Sequence, residues 1–145
     1  MVVSQMSRIV SVPFAGQHRE VICALRETVF VQEQGVPPEL EYDGLDEQAQ
    51  HVLAQVGQQP VGTGRILVDG HIGRIAVLRE YRGQGIGAKI VQALMEQAAA
   101  AGQQRVYLGA QLHATGFYER LGFVSYGDEF MDAGIPHIHM ERYLR

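Results

Sequence analysis

The segment IAVLREYRGQGIGAKIVQALMEQA, Ile75 to Ala98, decides the fold: an extended apolar run meets a helical one through a turn holding Gly83, Gly85 and Gly87. Before the turn, Ile75, Ala76 and Val77 close the run HIGRIAVL, which reads as a strand. After it, Ile86, Ile90, Leu94 and Ala98 recur at every fourth position, with Ala93 and Ala101 on the adjoining rows, until Gly102 supplies a helix stop. A glycine-rich turn at a helix start presents unpaired N–H groups and the positive end of the helix dipole, so it holds an anion without any charged side chain. The glycines also serve a plain tight turn, but Arg74, Arg79, Arg82 and Lys89 cluster around them. That clustering points to a small polyanion held by Arg82, Gly83, Gln84, Gly85, Ile86, Gly87 and Ala88.

Two familiar phosphate loops fail on the residues. A nucleotide-triphosphatase loop needs Lys-Ser/Thr after its last glycine, whereas Gly87 is followed by Ala88, Lys89 and Ile90, with no hydroxyl for magnesium. A dinucleotide fingerprint tolerates Ala88 but needs an acid near the end of the next strand, and RVYLGAQ has none. The antiparallel meander upstream of the turn also counts against NAD.

Outward from the turn, RIVSVPF reads as a strand, and QHREVICALRETVFVQEQ as a helix with a stripe of Val21, Ile22, Leu25 and Val29. GVPPELEYDGLDEQAQ, with two prolines and five acids, suits an exposed connection with room for a short helix. HVLAQV, VGTGRILV and HIGRIAVL form a three-stranded meander over the turns GQQP and Asp69-Gly70. RVYLGAQ is a strand, HATGFYERLG a helix closed by Gly122, and FVSYGDEF and HIHMERYL a final strand pair. The order β, α, β, β, β, α, β, α, β, β makes a mixed α/β (α+β) layer fold. The absence of repeats and linkers makes residues 1–145 one domain.

Composition narrows the function classes. Hydrophobic residues are 46% and charged residues 19%, with no stretch near the roughly 20 apolar residues of a membrane helix. Ser4, Gln5, Ser7 and Arg8 interrupt the mildly apolar N-terminus before a signal-peptide core forms, so no export and no membrane partner are expected. Cys23 is the only cysteine, which excludes an internal disulfide and suits a reducing, cytoplasmic setting. Its apolar neighbours suggest a buried structural thiol. A formal charge of −4 argues against a nucleic-acid footprint.

The segment Ile75 to Ala98 resembles the acetyl-CoA-binding motif of the GCN5-related N-acetyltransferases, in which Arg82, Gly83, Gln84, Gly85, Ile86 and Gly87 fall in register. ATGFYERLGF is similar to that family's helix bearing the tyrosine that faces the cofactor sulfur, here Tyr118, followed by Leu-Gly-Phe. VFVQEQGVPPELEYDGLDEQAQHVLA and EFMDAGIPHIHMERYL resemble the ElaA-like or YjcF-like branch. Pro136 to Met140 is also similar to the end of the glyphosate N-acetyltransferase group, whose catalytic base maps to His137. Two places where that group holds its acidic substrate with arginine are Val31 and Gln111 here, a departure that argues against an organophosphonate.

The resemblance implies a mostly antiparallel central sheet of about six to seven strands flanked by helices and splayed at the acetyl-CoA site. It implies that the edge Ile75, Ala76, Val77 pairs with the pantetheine arm, that a backbone N–H of Val77 or Leu78 faces the carbonyl oxygen, and that a homodimer is common. Tyr118 is the candidate acid, since a phenol of pKa about 10 stays protonated at neutral pH. His137 is the candidate base, since imidazole titrates at about 6.5. His139 shares its strand face, but two histidines without carboxylate support are a poor metal signal, so no metal is expected. Glu33, Glu80 and His113 are reserve bases, and His51 is assigned to a half-buried strand. Arg26, Arg74 and Gln111 are the candidate substrate contacts, the two arginines through a substrate carboxylate unless they pair with nearby acids. The acids of ELEYDGLD read as a solvated surface run, or as a lure for a cationic amine. The expectation is direct acetyl transfer from acetyl-CoA to a small primary amine. A noncatalytic acyl-CoA sensor and a protein or peptide N-acetyltransferase are the rivals.

Overall fold

The computed structural model describes residues 6–144. Its order is β1 (Ser7–Val12), α1 (Gly16–Arg26), a π-helical segment (Glu27–Glu33), α2 (Pro38–Glu41), β2 (Gln50–Val56), β3 (Gln59–Ile66), β4 (Ile72–Val77), α3 (Ile86–Ala100), β5 (Arg105–Gln111), α4 (Thr115–Arg120), β6 (Val124–Asp132) and β7 (Ile135–Tyr143). Of the residues behind the export reading, Ser4 and Gln5 lie outside the described residues.

The strands form two antiparallel sheets, β1-β2-β3-β4 and β5-β7-β6. Between the sheets, the described residues make one parallel bridge, His71 to Tyr107, where the Tyr107 N–H donates to the Gly70 carbonyl at 3.1 Å. Beyond that vertex β4 and β5 diverge. The expected splayed sheet is thus realised by seven strands in two sheets hinged at one point.

The hinge follows from a fault in β4. Thr63 pairs with Ala76 and Arg65 with Gly73, so Arg74 and Ile75 together oppose Gly64. This β-bulge bends the strand, and Arg74 adopts φ +52°, a left-handed conformation that an arginine rarely takes. The helices close the first sheet from both sides. Ile22 and Leu25 of α1 pack on Leu53, while Ile86, Ile90 and Leu94 of α3 pack on Val52, Ala54 and Val61. Gly62 and Gly64 let α3 lie close, because a Cβ on Gly64 would sit 2.6 Å from Ile90 and 2.7 Å from Ile75.

The long N-terminal helix is not uniform. Its apolar stripe keeps the α-helical period through Leu25, then widens into the π-helical segment, which still buries Val29. Such segments occur disproportionately at functional sites. Cys23 is half-buried rather than buried, because its position on α1 is offset from the stripe.

The acidic connection is not a solvated run. Glu41 and Asp46 are buried with Arg26 and Arg65, and Asp43 joins them. Arg26 Nε pairs with Glu41 and its Nη1 donates to Asp46 at 2.7 Å; Arg65 Nη1 donates to Asp46 at 2.8 Å and its Nη2 to Asp43 at 2.5 Å. Three arginines, with Arg74, thus face three carboxylates. The expectation that Arg26 contacts substrate is corrected: its side chain is 1% exposed and both charge partners are internal. His51 is fully buried rather than half-buried; it donates from Nε2 to the Asp46 carbonyl at 2.8 Å and stacks on Phe14. Burial pushes its pKa down, keeping it neutral.

Candidate active site

The divergence of β4 and β5 opens a cavity of about 310 Å³ whose lining includes Ile75, Arg74, Tyr118, Gln111 and His137. These come from β4, α4, β5 and β7, so segments far apart in sequence meet only at the splay. Phe30, Gln34, Val36 and Leu40 also line it, carried by the π-helical segment, the connection that follows it and α2.

His137 is held from behind. Its Nδ1 lies 2.6 Å from the Ile135 carbonyl, which can only accept, so the proton sits on Nδ1 and Nε2 keeps its lone pair. Phe130 stacks on both His137 and His139, which confirms that the two histidines share one strand face. Among the described residues no group of His, Cys, Asp and Glu has metal-binding geometry.

Tyr118 packs edge-on against Phe117 and Phe123. Burial pushes its pKa up to about 12, because the phenolate would lose its solvation there. Gln111 stands opposite His137 in the β5–β7 ladder and donates to Gln34 at 3.2 Å, tying β5 to the connection that follows the π-helical segment. Arg74 lines the cavity, but its Nε and Nη2 donate to the Glu41 carbonyl at 3.1 and 3.0 Å and its Nη2 also reaches Asp43. Burial pulls its pKa down, and the charge of Glu41 counters this only in part.

The reserve bases fall away. Glu33 is held below the usual carboxylate range, chiefly by the hydrogen bond from Arg82, whose Nη1 and Nη2 donate at 2.5 and 2.8 Å. Glu80 and His113 are exposed and do not line the cavity.

The glycine turn has the geometry of an anion cradle. Gly83 and Gly85 take φ +78° and +82°, and Gly85 caps α3 with no side-chain hydrogen bond. The Lys89 N–H returns to the Gly85 carbonyl, so the N–H groups of Ile86, Gly87 and Ala88 precede the first helical bond. Gly87 has a different reason: a Cβ there would meet Phe117 at 3.3 Å. Arg82 is bound to Glu33 and, through Nε, to the Val77 carbonyl at 2.9 Å, so it ties the turn to β4 and the π-helical segment.

On β4 the Leu78 N–H donates to Val61 at 2.9 Å and is therefore not free. Antiparallel ladders alternate, so Val77, opposite Gly62, directs its N–H and carbonyl away from β3, toward the gap. The same alternation turns Ala76 inward: it pairs with Thr63 and buries its methyl, leaving Val77 and Ile75 to supply the open edge.

Sequence reasoning did not find Phe30, Gln34, His71 or Asp132, all of which line the cavity. Asp69-Gly70 flagged a turn beside His71, but nothing local says that this turn meets β5. The buried Arg65 did leave a signal, a charge in the otherwise apolar and small run VGTGRILV that calls for an acid partner.

The Acetyltransferase (GNAT) domain family matches residues 17–144. An uncharacterized N-acetyltransferase of Bacillus subtilis (strain 168), YjcF, is 43% identical over 120 residues, covering 80% of this chain and 86% of that protein. Protein ElaA of Escherichia coli (strain K12) is 33% identical over 126 residues, covering 81% and 82%. The crystal structure of Escherichia coli ElaA superposes with a TM-score of 0.84 over 93% of this chain and 99% of that one, at 29% identity. That of an acyl-CoA N-acyltransferase from Pseudomonas aeruginosa gives 0.81 over 94% and 99%, at 30% identity. A glycine cradle, a splay with a free strand edge and these relatives agree, and the chain belongs to the GNAT acetyltransferase family, in its ElaA- and YjcF-like branch.

Proposed function

We propose that the chain transfers an acetyl group from acetyl-CoA directly to the primary amine of a small molecule. The observation that carries this reading is the meeting of Tyr118 and His137 in one cavity at the splay, with the Nε2 lone pair of His137 unshared among the described residues. Family membership makes acyl transfer from an acyl-CoA the expected chemistry; the acetyl donor and the amine acceptor are this proposal's own.

The chain's groups fit a division of labour. The N–H groups of Ile86, Gly87 and Ala88 hold the donor's pyrophosphate, with Gly83 and Gly85 giving the backbone its close approach. The open edge at Ile75 and Val77 pairs with the extended arm of the donor, which supplies a thioester carbonyl. The Val77 N–H faces the oxygen where charge develops, a contact worth about 3 kcal/mol where such donors have been removed from other enzymes. His137 Nε2 accepts the proton that the amine must lose, directly or through water. The nitrogen–carbon bond forms as the carbon–sulfur bond breaks, and Tyr118 gives its proton to the departing sulfur. Cys23 is on α1 and does not line the cavity, which supports transfer without an acyl-enzyme.

The test is CoA release from acetyl-CoA across amino acids, aliphatic amines, aminoglycosides, aminophosphonates and short peptides. Amine-dependent release with small amines ahead of peptides is the expected result. Binding of acetyl-CoA by calorimetry with no turnover of any amine would replace this reading with a sensor.

A further inference from the structure

Asp132 stands apart among the charged residues that line the cavity. Glu41 is held by Arg26 and Arg74, and Arg74 by Glu41 and Asp43, whereas Asp132 has no ion pair or side-chain hydrogen bond among the described residues. Burial pushes the pKa of His71, the other lining imidazole, down and keeps it neutral. Among the described residues, the cavity lining therefore carries one unpaired negative charge, the solvent-exposed Asp132, and no unpaired arginine or lysine.

The position of that charge is set by the β6–β7 ladder. Phe130 pairs with His137, and Asp132 pairs with Ile135. Asp132 thus lies two residues along the strand from the row of His137 and on the same face as Phe130, a displacement of about 7 Å. Ala133 and Ile135 line the cavity beside it, and Phe30 and Val36 also line it.

We propose that the acceptor is a short aliphatic diamine, whose reacting nitrogen meets His137 Nε2 while its second ammonium is held by Asp132, whose row in the ladder lies about 7 Å along the strand from that of His137. This deepens the acetyl-transfer reading and rests on it. The apolar walls take the methylene chain. An α-amino acid is disfavoured, because its carboxylate would enter a cavity whose one unpaired charge among the described residues is already negative. The chemistry balances as before: the reacting nitrogen gives one proton to His137 and gains the acetyl carbon, the thioester carbon–sulfur bond breaks, Tyr118 protonates the sulfur, and the distal ammonium keeps its charge.

The experiment measures CoA release at saturating acetyl-CoA with diaminopropane, diaminobutane, diaminopentane, butylamine and alanine, on the unaltered chain, Asp132→Asn and Asp132→Glu. The expected result is a kcat/KM for diaminobutane about tenfold above that for butylamine, the ratio that one charge-assisted hydrogen bond commands, expressed mainly in KM. Asp132→Asn brings the two amines toward parity, and Asp132→Glu, which keeps the charge, retains the preference. Butylamine turnover with no diamine advantage, a diamine advantage that survives Asp132→Asn, or alanine as the better acceptor would each overturn this proposal and leave acetyl transfer standing. No acetylation of any amine by a chain that binds acetyl-CoA would overturn both.

Discussion

The division of labour proposed for Tyr118 and His137 rests on what surrounds each side chain. Tyr118 sits among Phe117, Phe123 and the apolar lining, and burial alone raises its pKa to about 12. An acid must be protonated to donate, and a raised pKa keeps it so at every pH below that value. Ionisation of Tyr118 therefore costs no activity up to about pH 10, where an unperturbed phenol would be half ionised. Tyr118→Phe is expected to lower kcat by about a hundredfold, the scale of a lost general acid, with acetyl-CoA affinity unchanged by calorimetry. A descending limb below pH 10 that disappears in Tyr118→Phe would contradict the assignment. His137 differs in having its tautomer fixed by the Ile135 carbonyl, two residues back on β7.

At the scale of elements, the free edge of β4 depends on how closely α3 lies beneath it. Gly64 stands opposite the bulge and beneath Ile75, with Ile90 and Leu94 against the place a side chain would occupy. Gly64→Ala is expected to destabilise the chain by about 1–3 kcal/mol, because a core already at crystal-like density must shift to admit one methyl. Urea unfolding checks the stability, and a raised acetyl-CoA KM checks that the displaced Ile75 carries the edge with it. Unchanged unfolding would mean that α3 yields without resistance. The Arg82 bond to Glu33 is the second link between elements, joining the glycine turn to the segment that carries Phe30.

For the whole molecule, the buried ion network fastens α2 and the acidic connection across the first sheet, and so holds one wall of the cavity. Asp43 is held well below the usual carboxylate range, chiefly by the Arg65 hydrogen bond; for Asp46, burial pushes up but Arg26 and Arg65 outweigh it. Depressed folded-state values mean that this stability is present above the unfolded value of about 3.9 and is lost as pH falls below it. Thermal melts are expected to drop steeply below about pH 4, and Arg26→Ala, which leaves two buried carboxylates short of a partner, to cost about 3–5 kcal/mol at neutral pH. An Arg26→Ala melt equal to that of the unaltered chain would show that the network is idle. Much of this fold was legible locally. The stripe of Ile86, Ile90, Leu94 and Ala98 became the buried face of α3, and the glycines at 83 and 85 took the left-handed turn that their spacing announced. Helical and strand periods and glycine torsions are properties of neighbouring residues, so one chain segment carries them whole. The acidic connection misled for the opposite reason: Glu41 and Asp46 look solvated until Arg26 and Arg65, from two other elements, arrive beside them. The amino-acid sequence by itself determined the element order, the glycine turn ahead of α3 and the family. Only the tertiary structure decided which charges are buried and paired, which backbone N–H is free and that Asp132 faces the cavity of His137, because burial and charge pairing are set by residues distant in sequence.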